Sequence, residues 1–476
     1  MELKKQAISG AKWTTLATIV TALIQILRLS ILTRFLEKTD FGIVAILTFV
    51  LGLTNTFADL GFSAAIMHKK DLSRKEFSSL YWIQFLFFLL LFCIGSSVSH
   101  LVARFYEESS ISLLLPIVLL DLIFNGFGRL YDTILQKEML FRTIAIRNIS
   151  SALLSIIIAL GLAMRGYGIY SMIISTLFNT LLLNIWNLVC GQKHIKLEFT
   201  LSFKSCIPLA KIGFYQTGTQ ILDYFAAKFD VLIIGKLLGA ETLGVYNLAK
   251  ELVMKVILMI NSIANKVTLP IFAKVQNDHF TLRKTYCQVI GLLSRINFPI
   301  SMAICILSTQ IVAILYGSGY EDVSGIMSVL TIWSLFICIG NPIGNIAIAT
   351  GKTNLSFIYT IVRILITVPL VYVASTISIT AVSWSNVLNA LIMFFVGWKM
   401  LLKKMIGLSF LEYVNSFKIE LLLTVSSAIP IFCVMKFMHI TLINSVVEIF
   451  VYGFIWLLLY VIANILVRGK NFYRTI

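Results

Sequence analysis

The sequence has few charged residues, few prolines and no paired cysteines. Only 13% of its 476 residues are charged, and it contains 7 prolines and 7 cysteines. Soluble domains have about 25% charged residues, so this composition excludes a soluble globular enzyme and a disordered chain. No two cysteines are separated by two residues, as in the common zinc and thiol-redox motifs. We therefore expect no disulfide, metal site, cofactor or catalytic group.

Apolar residues make up 58% of the chain. They lie in continuous stretches, which excludes a transmembrane β-barrel, and a membrane-spanning helix needs about 20 of them. We predict an all-α polytopic membrane protein with about fourteen transmembrane helices. The predicted spans are residues 9–32, 41–67, 79–103, 113–135, 148–164, 168–190, 209–236, 243–270, 287–308, 323–347, 355–374, 379–401, 419–437 and 445–467.

Loops rich in lysine and arginine alternate with short loops that are poor in them. The first set includes Lys69 to Lys75, Lys137 to Arg147 and Lys399 to Lys404, and the second set includes residues 104–110 and 316–322. The positive-inside rule places the first set and both termini in the cytoplasm. The same rule explains the net charge of +17 without a nucleic acid partner.

The chain contains an internal repeat. Residues 31–45 align with residues 233–247, so that Arg34 aligns with Lys236 and Gly42 with Gly244. Each copy contains six predicted helices, and because six is even the two repeats are parallel in the membrane. The predicted domains are a first six-helix lobe (1–192), a second six-helix lobe (205–402), and an additional helix pair with a cytoplasmic tail (403–476).

Polar residues form stripes on several predicted spans. One stripe on the first span ends at Thr21, Gln25 and Arg28, and residues at the equivalent register of the repeat include Gln216 and Asp223. Charges in lipid cost several kcal/mol each, so they face a bundle interior or water. Single asparagines or threonines also serve as hydrogen bonds between helices. For five striped helices together we predict a shared aqueous cavity.

Four cations on these spans have no acid adjacent in sequence: Arg28, Lys228, Lys255 and Arg363. We predict that they are unpaired in the cavity, which favours an anionic cargo. The predicted substrate-binding cations are these four and Lys250. The predicted polar cavity residues are Thr21, Gln25, Asn55, Gln216 and Gln220. Other charges have an alternative as structural pairs, such as Arg129 with Asp132 or Lys250 with Glu251, and Arg295 has the alternative of extending to the membrane surface.

Transport needs an energy source, and the sequence has no nucleotide-binding motif. The segment Gly351-Lys352-Thr353 lacks the glycine that a P-loop has five positions earlier, where this chain has Ile346. Acids on the polar stripes are therefore the candidates for coupling to an ion gradient. They are Asp59, Asp223 and Glu251, and the alternative for Asp223 is neutralisation of Lys228.

Three segments carry a resemblance to a known family: residues 7–13, residues 32–42 with their repeat copy, and residues 315–320. The chain resembles the Wzx-like flippases of O-antigen and capsule repeat units, in the multidrug/oligosaccharidyl-lipid/polysaccharide exporter superfamily. This resemblance implies a V-shaped pair of lobes with a central cationic cavity in the bacterial inner membrane. It also implies an undecaprenyl-diphosphate-linked oligosaccharide as cargo, and polysaccharide polymerase machinery as a candidate partner. The extra helix pair resembles that of the lipid II flippase, where it is thought to flank a lipid groove.

Two other functions are open at this point. A cation-coupled drug exporter of the same superfamily would have a mostly acidic or neutral cavity. A membrane enzyme of polysaccharide assembly would present a large periplasmic loop with catalytic residues. The predicted external loops hold little beyond Glu107, Glu108, Glu321 and Asp322. We therefore predict a transporter rather than an enzyme.

Overall fold

The computed structural model describes residues 2–58, 61–69, 72–200, 203–437 and 445–468. These ranges contain seventeen α-helices, one π-helical turn and no strand. The first nine helices are α1 (Glu2–Leu32), α2 (Lys38–Ala58), α3 (Phe62–His68), α4 (Arg74–Tyr106), α5 (Ile111–Lys137), α6 (Phe141–Met164), α7 (Ile169–Gly191), α8 (Phe203–Leu237) and α9 (Gly239–Lys274). The others are α10 (His279–Ile306), α11 (Ser308–Leu315), α12 (Asp322–Ala349), α13 (Thr353–Ser375), α14 (Ile379–Gly397), the π turn (Trp398–Leu402), α15 (Lys403–Ile406), α16 (Phe410–Phe437) and α17 (Ser445–Arg468).

Twelve segments of the described chain are long and apolar enough to cross a membrane, which confirms an all-α polytopic membrane protein. Helices α8 and α9 are not among them, although they contain 35 and 36 residues. These two helices carry many of the predicted site charges, including Asp223, Lys228, Lys250 and Lys255. The predicted count of fourteen spans includes both and stays a prediction.

Several helices begin earlier than predicted because side chains cap their first turns. The Ser409 hydroxyl accepts from the Glu412 amide, and the Glu412 carboxylate accepts from the Ser409 amide, so α16 begins nine residues before the predicted start. Asp278 accepts from the amides of Phe280 and Thr281 and sets the start of α10. Such caps satisfy the amides that have no partner within the helix.

The predicted second span is two helices in the structure. Helix α2 ends at Ala58 and α3 begins at Phe62, with Gly61 at a φ of 69° before it. A left-handed backbone angle interrupts a right-handed helix and favours glycine. The apolar pattern continues through this turn, so periodicity alone does not reveal the break. The short helix α11 is also absent from the predicted set.

The chain divides into two compact units, residues 1–244 and 245–476. In unit 1, α5 packs between α4 and α7, α1 packs on α6, and α2 packs on α8. Phe62, Phe77, Tyr81 and Tyr131 form its aromatic core where α3, α4 and α5 meet. The predicted boundaries at 192, 205 and 403 stay predictions.

In unit 2, α10 packs on α12 and α16, α14 packs on α12 and α13, and α17 packs on α16 and α11. One of its cores contains Tyr286 and Phe298 of α10 together with Tyr413 and Phe417 of α16. The predicted C-terminal helix pair is thus α16 and α17, and α16 is joined to α10 through aromatic packing.

The two aligned segments, residues 31–45 and 233–247, touch each other in unit 1. A Cβ atom at Gly42 would overlap the backbone carbonyl of Ala240, and one at Gly244 would overlap that of Lys38. The aligned pairs are Gly42 with Gly244 and Lys38 with Ala240, so each contact is the counterpart of the other. Glycine permits this close backbone approach at both positions.

Candidate functional site

Arg28 lies on the polar stripe of α1 and contacts α7. Its guanidinium donates to the Met172 carbonyl at 2.9 Å, the Ser175 hydroxyl at 2.8 Å and the Thr176 hydroxyl at 2.7 Å. Ser175 and Thr176 are adjacent on α7, and the sequence stripes did not include them. These acceptors hold the arginine in a fixed position within the membrane-spanning part of unit 1.

The other polar residues of this stripe form hydrogen bonds within α1 or are exposed. Thr14, Thr18 and Thr21 each donate to the backbone carbonyl four positions earlier, at 2.6 to 2.8 Å. This local bonding lets a threonine lie in an apolar helix without a partner on another helix. Gln25 is exposed. Gln25 and Arg28 therefore carry the polar groups of this stripe that reach beyond α1.

Helix α8 packs on α2 through an aromatic side chain. The Tyr224 hydroxyl donates to the Phe49 carbonyl at 2.9 Å, and the rings of the same two residues stack with centroids 5.9 Å apart. Gln220 and Asp223 of α8 are exposed, and Lys228 is half-buried. The predicted site residues Gln216 and Asp59 lie outside the described side chains.

A cluster of amides surrounds a buried carboxylate in unit 1. Asp121 of α5 is 5% exposed and accepts from Asn125 at 2.6 Å and from Asn55 of α2 at 3.4 Å. Asn184 of α7 donates to the Asn125 side chain at 3.1 Å. We call Asn55, Asp121, Asn125 and Asn184 the amide–carboxylate cluster. It places the predicted residue Asn55 in contact with other striped helices and adds Asn184, which the sequence did not reveal.

Arg147 is buried in unit 1, so the prediction that it lies in a cytoplasmic loop is wrong. It is 5% exposed, forms an ion pair with Asp132 at 2.7 Å, and donates to Asn187 of α7. The error follows from the helix boundary, because α6 begins at Phe141 and includes Arg147. Sequence proximity had suggested Arg129 as the partner of Asp132, whereas the observed ion pair of Asp132 is made by Arg147.

The charged stripe of α9 contains an ion pair and an aromatic contact in unit 2. Lys255 lies 3.2 Å from Glu251, so the expectation that Lys255 lacks an acidic partner is wrong. The two residues are one helical turn apart, the spacing at which oppositely charged side chains meet. The Lys250 ammonium lies 5.6 Å from the ring centroids of both Tyr246 and Trp333, within the range of cation–π attraction.

Three asparagines of unit 2 join α9 to α12. Asn341 and Asn345 both donate to the Asn265 side chain at 2.9 Å, and Asn345 also donates to Thr268 at 2.7 Å. For these residues the structure supports the interhelical role over the cavity role. Arg363, the remaining predicted cation, is half-buried on α13.

An ion pair of α10 and α16 involves a residue that the sequence reasoning missed. Arg295 lies 3.3 Å from Glu420, and their side chains are 17% and 3% exposed. Arg295 thus points to α16 rather than toward the membrane surface. Among the residues that the structure describes, no group of histidine, cysteine, aspartate and glutamate has the arrangement needed to hold a metal ion.

In both units, charged and polar side chains lie within long helices and form hydrogen bonds or ion pairs with neighbouring residues. Residues 31–325, more than half of the chain, match the family described as "Polysaccharide biosynthesis protein". The chain belongs to this family. The predicted resemblance to polysaccharide flippases is thereby confirmed.

Similar proteins cover most of the chain. The lipopolysaccharide biosynthesis protein WzxC of Escherichia coli (strain K12) is 24% identical, over 87% of this chain and 85% of its own. The teichuronic acid biosynthesis protein TuaB of Bacillus subtilis (strain 168) is 28% identical, over 90% of this chain and 89% of its own. A solved structure of the lipid II flippase MurJ covers 96% of this chain and 98% of its own, with a TM-score of 0.77 and 16% identity. This last likeness establishes a shared fold.

Proposed function

We propose that the protein flips an undecaprenyl-diphosphate-linked oligosaccharide across the bacterial inner membrane by alternating access. The observation that carries this proposal is the nearly full-length likeness to proteins named for the biosynthesis of different surface polysaccharides. We infer that this chain acts in such a pathway by exporting a sugar unit built in the cytoplasm. The shared fold with a lipid II flippase supports the same chemistry. The product is a surface polysaccharide of the O-antigen, lipopolysaccharide or capsule type, and polysaccharide polymerase machinery is the next partner.

The cargo contains a diphosphate, and Arg28 is the first residue that we assign to it. A guanidinium presents several N–H groups in a planar fork that matches phosphate oxygens. One terminal nitrogen of Arg28 contacts α7 through Ser175 and Thr176, which orients the fork. Lys228, Lys250, Lys255 and Arg363 add positive charge in their own units, while Thr21, Gln25, Asn55, Gln216 and Gln220 provide polar contacts for sugar hydroxyls.

The membrane arrangement that we propose has fourteen spans, with α8 and α9 as the seventh and eighth. Two parallel six-helix repeats occupy residues 1–192 and 205–402, and the pair α16 and α17 follows. The reciprocal contacts of Gly42 and Gly244 support this repeat. Both termini are cytoplasmic in this arrangement.

Reporter fusions test this topology. Fusions after Lys193 and Lys404 should read cytoplasmic, and fusions near Tyr106 and Gly319 should read external. A cytoplasmic reading at Gly319 would contradict the proposed helix count.

The proposed energy source is an ion gradient sensed by carboxylates. Asp223 is exposed on α8, and Glu251 pairs with Lys255 on α9. Protonation of a carboxylate changes its charge and hence its attraction for a neighbouring lysine. We propose Asp223, Glu251 and Asp59 as the acids that exchange the coupling ion.

Deletion of the gene tests the proposed function in the native host. Surface polysaccharide should disappear, and lipid-linked oligosaccharide should accumulate with its sugars on the cytoplasmic side. Expression of the full chain should restore both. The alternative, a cation-coupled drug exporter, predicts unchanged polysaccharide and increased drug sensitivity. A membrane enzyme of polysaccharide assembly predicts instead that the unmodified lipid-linked substrate accumulates on the external side.

A further inference from the structure

A groove of about 820 Å³ lies between α10 and α16 in unit 2. Arg283 and Arg295 of α10 line it on one side, and Glu412 and Glu420 of α16 line it on the other. Arg283 lies 3.8 Å from Glu412, and Arg295 lies 3.3 Å from Glu420. The two arginines are about 18 Å apart along a helix, at about 1.5 Å per residue. The groove therefore follows both helices from their first turns into the membrane-spanning part.

The groove has a rigid floor. A Cβ atom at Gly291 would lie 3.0 Å from the carbonyl oxygen of Ser416, so the two helices are in close contact at the middle of the groove. Beneath it, the rings of Tyr286 and Tyr413 lie 6.3 Å apart and those of Tyr413 and Phe417 lie 5.8 Å apart. Because these rings are buried and closely packed, the shape of the groove is fixed without a ligand.

The mouth of the groove favours an anion. Its lining contains three cations and two carboxylates, and both carboxylates lie next to an arginine. Lys284, Gln288 and Asn415 are exposed along the lining, and each has an N–H donor. Lys284 and Gln288 are one turn apart on α10, so they lie on the same side of the helix. The exposed donors and the excess positive charge match a phosphate group.

Beyond the mouth the lining includes exposed apolar side chains. Leu292 of α10 and Ile419 of α16 are 47% and 48% exposed. Both helices are candidate membrane spans, so we expect these side chains to face lipid. A ligand with one phosphate and a long hydrocarbon chain satisfies both parts of the surface.

We propose that this groove binds an anionic glycerophospholipid of the surrounding membrane. Its phosphate interacts with Lys284, Gln288 and Asn415, and one acyl chain lies against Leu292 and Ile419. None of these residues belongs to the set assigned to the cargo. Free phosphate lacks the chain that the apolar walls require, and a zwitterionic phospholipid gains less from the excess positive charge.

Native mass spectrometry of the full-length protein tests this site. The protein is reconstituted in nanodiscs of phosphatidylcholine with a minor fraction of phosphatidylglycerol, and the lipids retained after release into detergent are quantified. We expect phosphatidylglycerol to be retained in preference to phosphatidylcholine. Lys284→Ala should lower this preference about fivefold, because a lysine near an anionic headgroup contributes about 1 kcal/mol. Gln288→Glu should lower it through repulsion while Lys284 is kept.

Lys418→Ala is the matched control, because Lys418 is an exposed lysine of α16 that is not part of the groove lining. It should leave the preference unchanged. Equal losses in the Lys284 and Lys418 variants would show general surface attraction and overturn the proposal. So would an absence of preference in the wild type, or displacement of phosphatidylglycerol by inorganic phosphate alone. Size-exclusion profiles matching the wild type exclude misfolding as the cause of a loss.

Discussion

Gly42 and Gly244 occupy equivalent positions in the aligned segments 31–45 and 233–247, and each lies against a backbone carbonyl of the other segment. The carbonyl over Gly42 belongs to Ala240, and the carbonyl over Gly244 belongs to Lys38. Since Lys38 aligns with Ala240 in the same register, the contact has the form of a twofold relationship. A side chain at either position would separate the beginnings of α2 and α9.

Gly42→Ala should destabilise the protein by about 1–3 kcal/mol, because the added methyl group overlaps backbone that cannot move independently. Gly244→Ala should behave alike. Gly161→Ala is the control, since no atom lies within 4 Å of the added methyl group and alanine favours the helix. Thermal unfolding in detergent measures all three. Equal midpoints for Gly42→Ala and Gly161→Ala would contradict the close contact.

Arg28→Ala should lower the affinity for the cargo roughly tenfold to hundredfold, while the amount of protein in the membrane stays normal. The reason is that a charge-assisted hydrogen bond contributes about 1.5–3 kcal/mol. Arg28→Lys should recover part of the affinity, because it keeps the charge and loses the fork. Thr176→Val removes one acceptor of Arg28 and keeps the guanidinium, so it should retain most binding. If Thr176→Val were as defective as Arg28→Ala, Arg28 would serve to hold α1 on α7.

Substitutions in the ion pair of Lys255 and Glu251 distinguish a cargo-binding role of Lys255 from a structural one. Lys255→Met alone should abolish export, because it removes a proposed cargo cation. The double variant Lys255→Met with Glu251→Gln removes both charges, so a defect caused only by an unpaired glutamate would be repaired. Because Glu251 is also a proposed coupling acid, the readout for the double variant is cargo binding rather than export, and we expect it to bind cargo as weakly as Lys255→Met. Recovery of cargo binding would assign the lysine to the ion pair alone.

Two carboxylates of unit 1 should differ in their response to substitution. Asp223→Asn should bind cargo and lose the response of transport to an imposed proton gradient in liposomes. Asp121→Asn should retain that response and unfold more easily, by about 1–3 kcal/mol, because Asp121 accepts from two amides that an asparagine satisfies less well. The reverse outcome, a gradient response lost only in Asp121→Asn, would transfer the coupling role to the amide–carboxylate cluster.

The ion pair of Glu107 and Lys236 predicts a pH dependence of stability. The Lys236 ammonium donates to the Glu107 carboxylate at 2.7 Å and lowers its pKa below the usual value. A lowered pKa in the folded state gives stability that is present above the unfolded pKa of about 4.3 and is lost as the pH falls through the folded pKa. Between neutral pH and about pH 5 the difference in unfolding midpoint between Glu107→Gln and wild type should therefore stay constant. Below about pH 4 it should shrink, whereas a difference that already shrinks at pH 6 would contradict the lowered pKa.

The fold class could be predicted from the sequence because apolar length decides it. Fourteen predicted helices correspond to observed helices, with the break at Gly61 and the short helix α11 as exceptions. The starts of α10 and α16 were misplaced because their first turns are polar and are specified by caps at Asp278 and Ser409. Hydropathy does not register a cap.

The site was less predictable because hydrogen-bond partners lie far apart in sequence. Arg28 reaches Ser175, and Arg295 reaches Glu420, across separations of 147 and 125 residues. A stripe on one helix indicates which face is polar, but not which helix covers that face. The contact of Lys255 with Glu251 was missed although the two residues lie four positions apart, a spacing that alone indicates such a contact.

Reconstitution of the purified full-length protein with its lipid-linked oligosaccharide tests the central claim most directly. Undecaprenyl-diphosphate-linked oligosaccharide is placed in liposomes, and its sugars on the outer leaflet are removed by a membrane-impermeant glycosidase. With the protein present, sugars from the inner leaflet should become accessible and the cleaved fraction should approach completeness, while Arg28→Ala should slow this approach. Cleavage that stops at the outer-leaflet fraction, as in protein-free liposomes, would contradict the proposal that the protein flips this lipid.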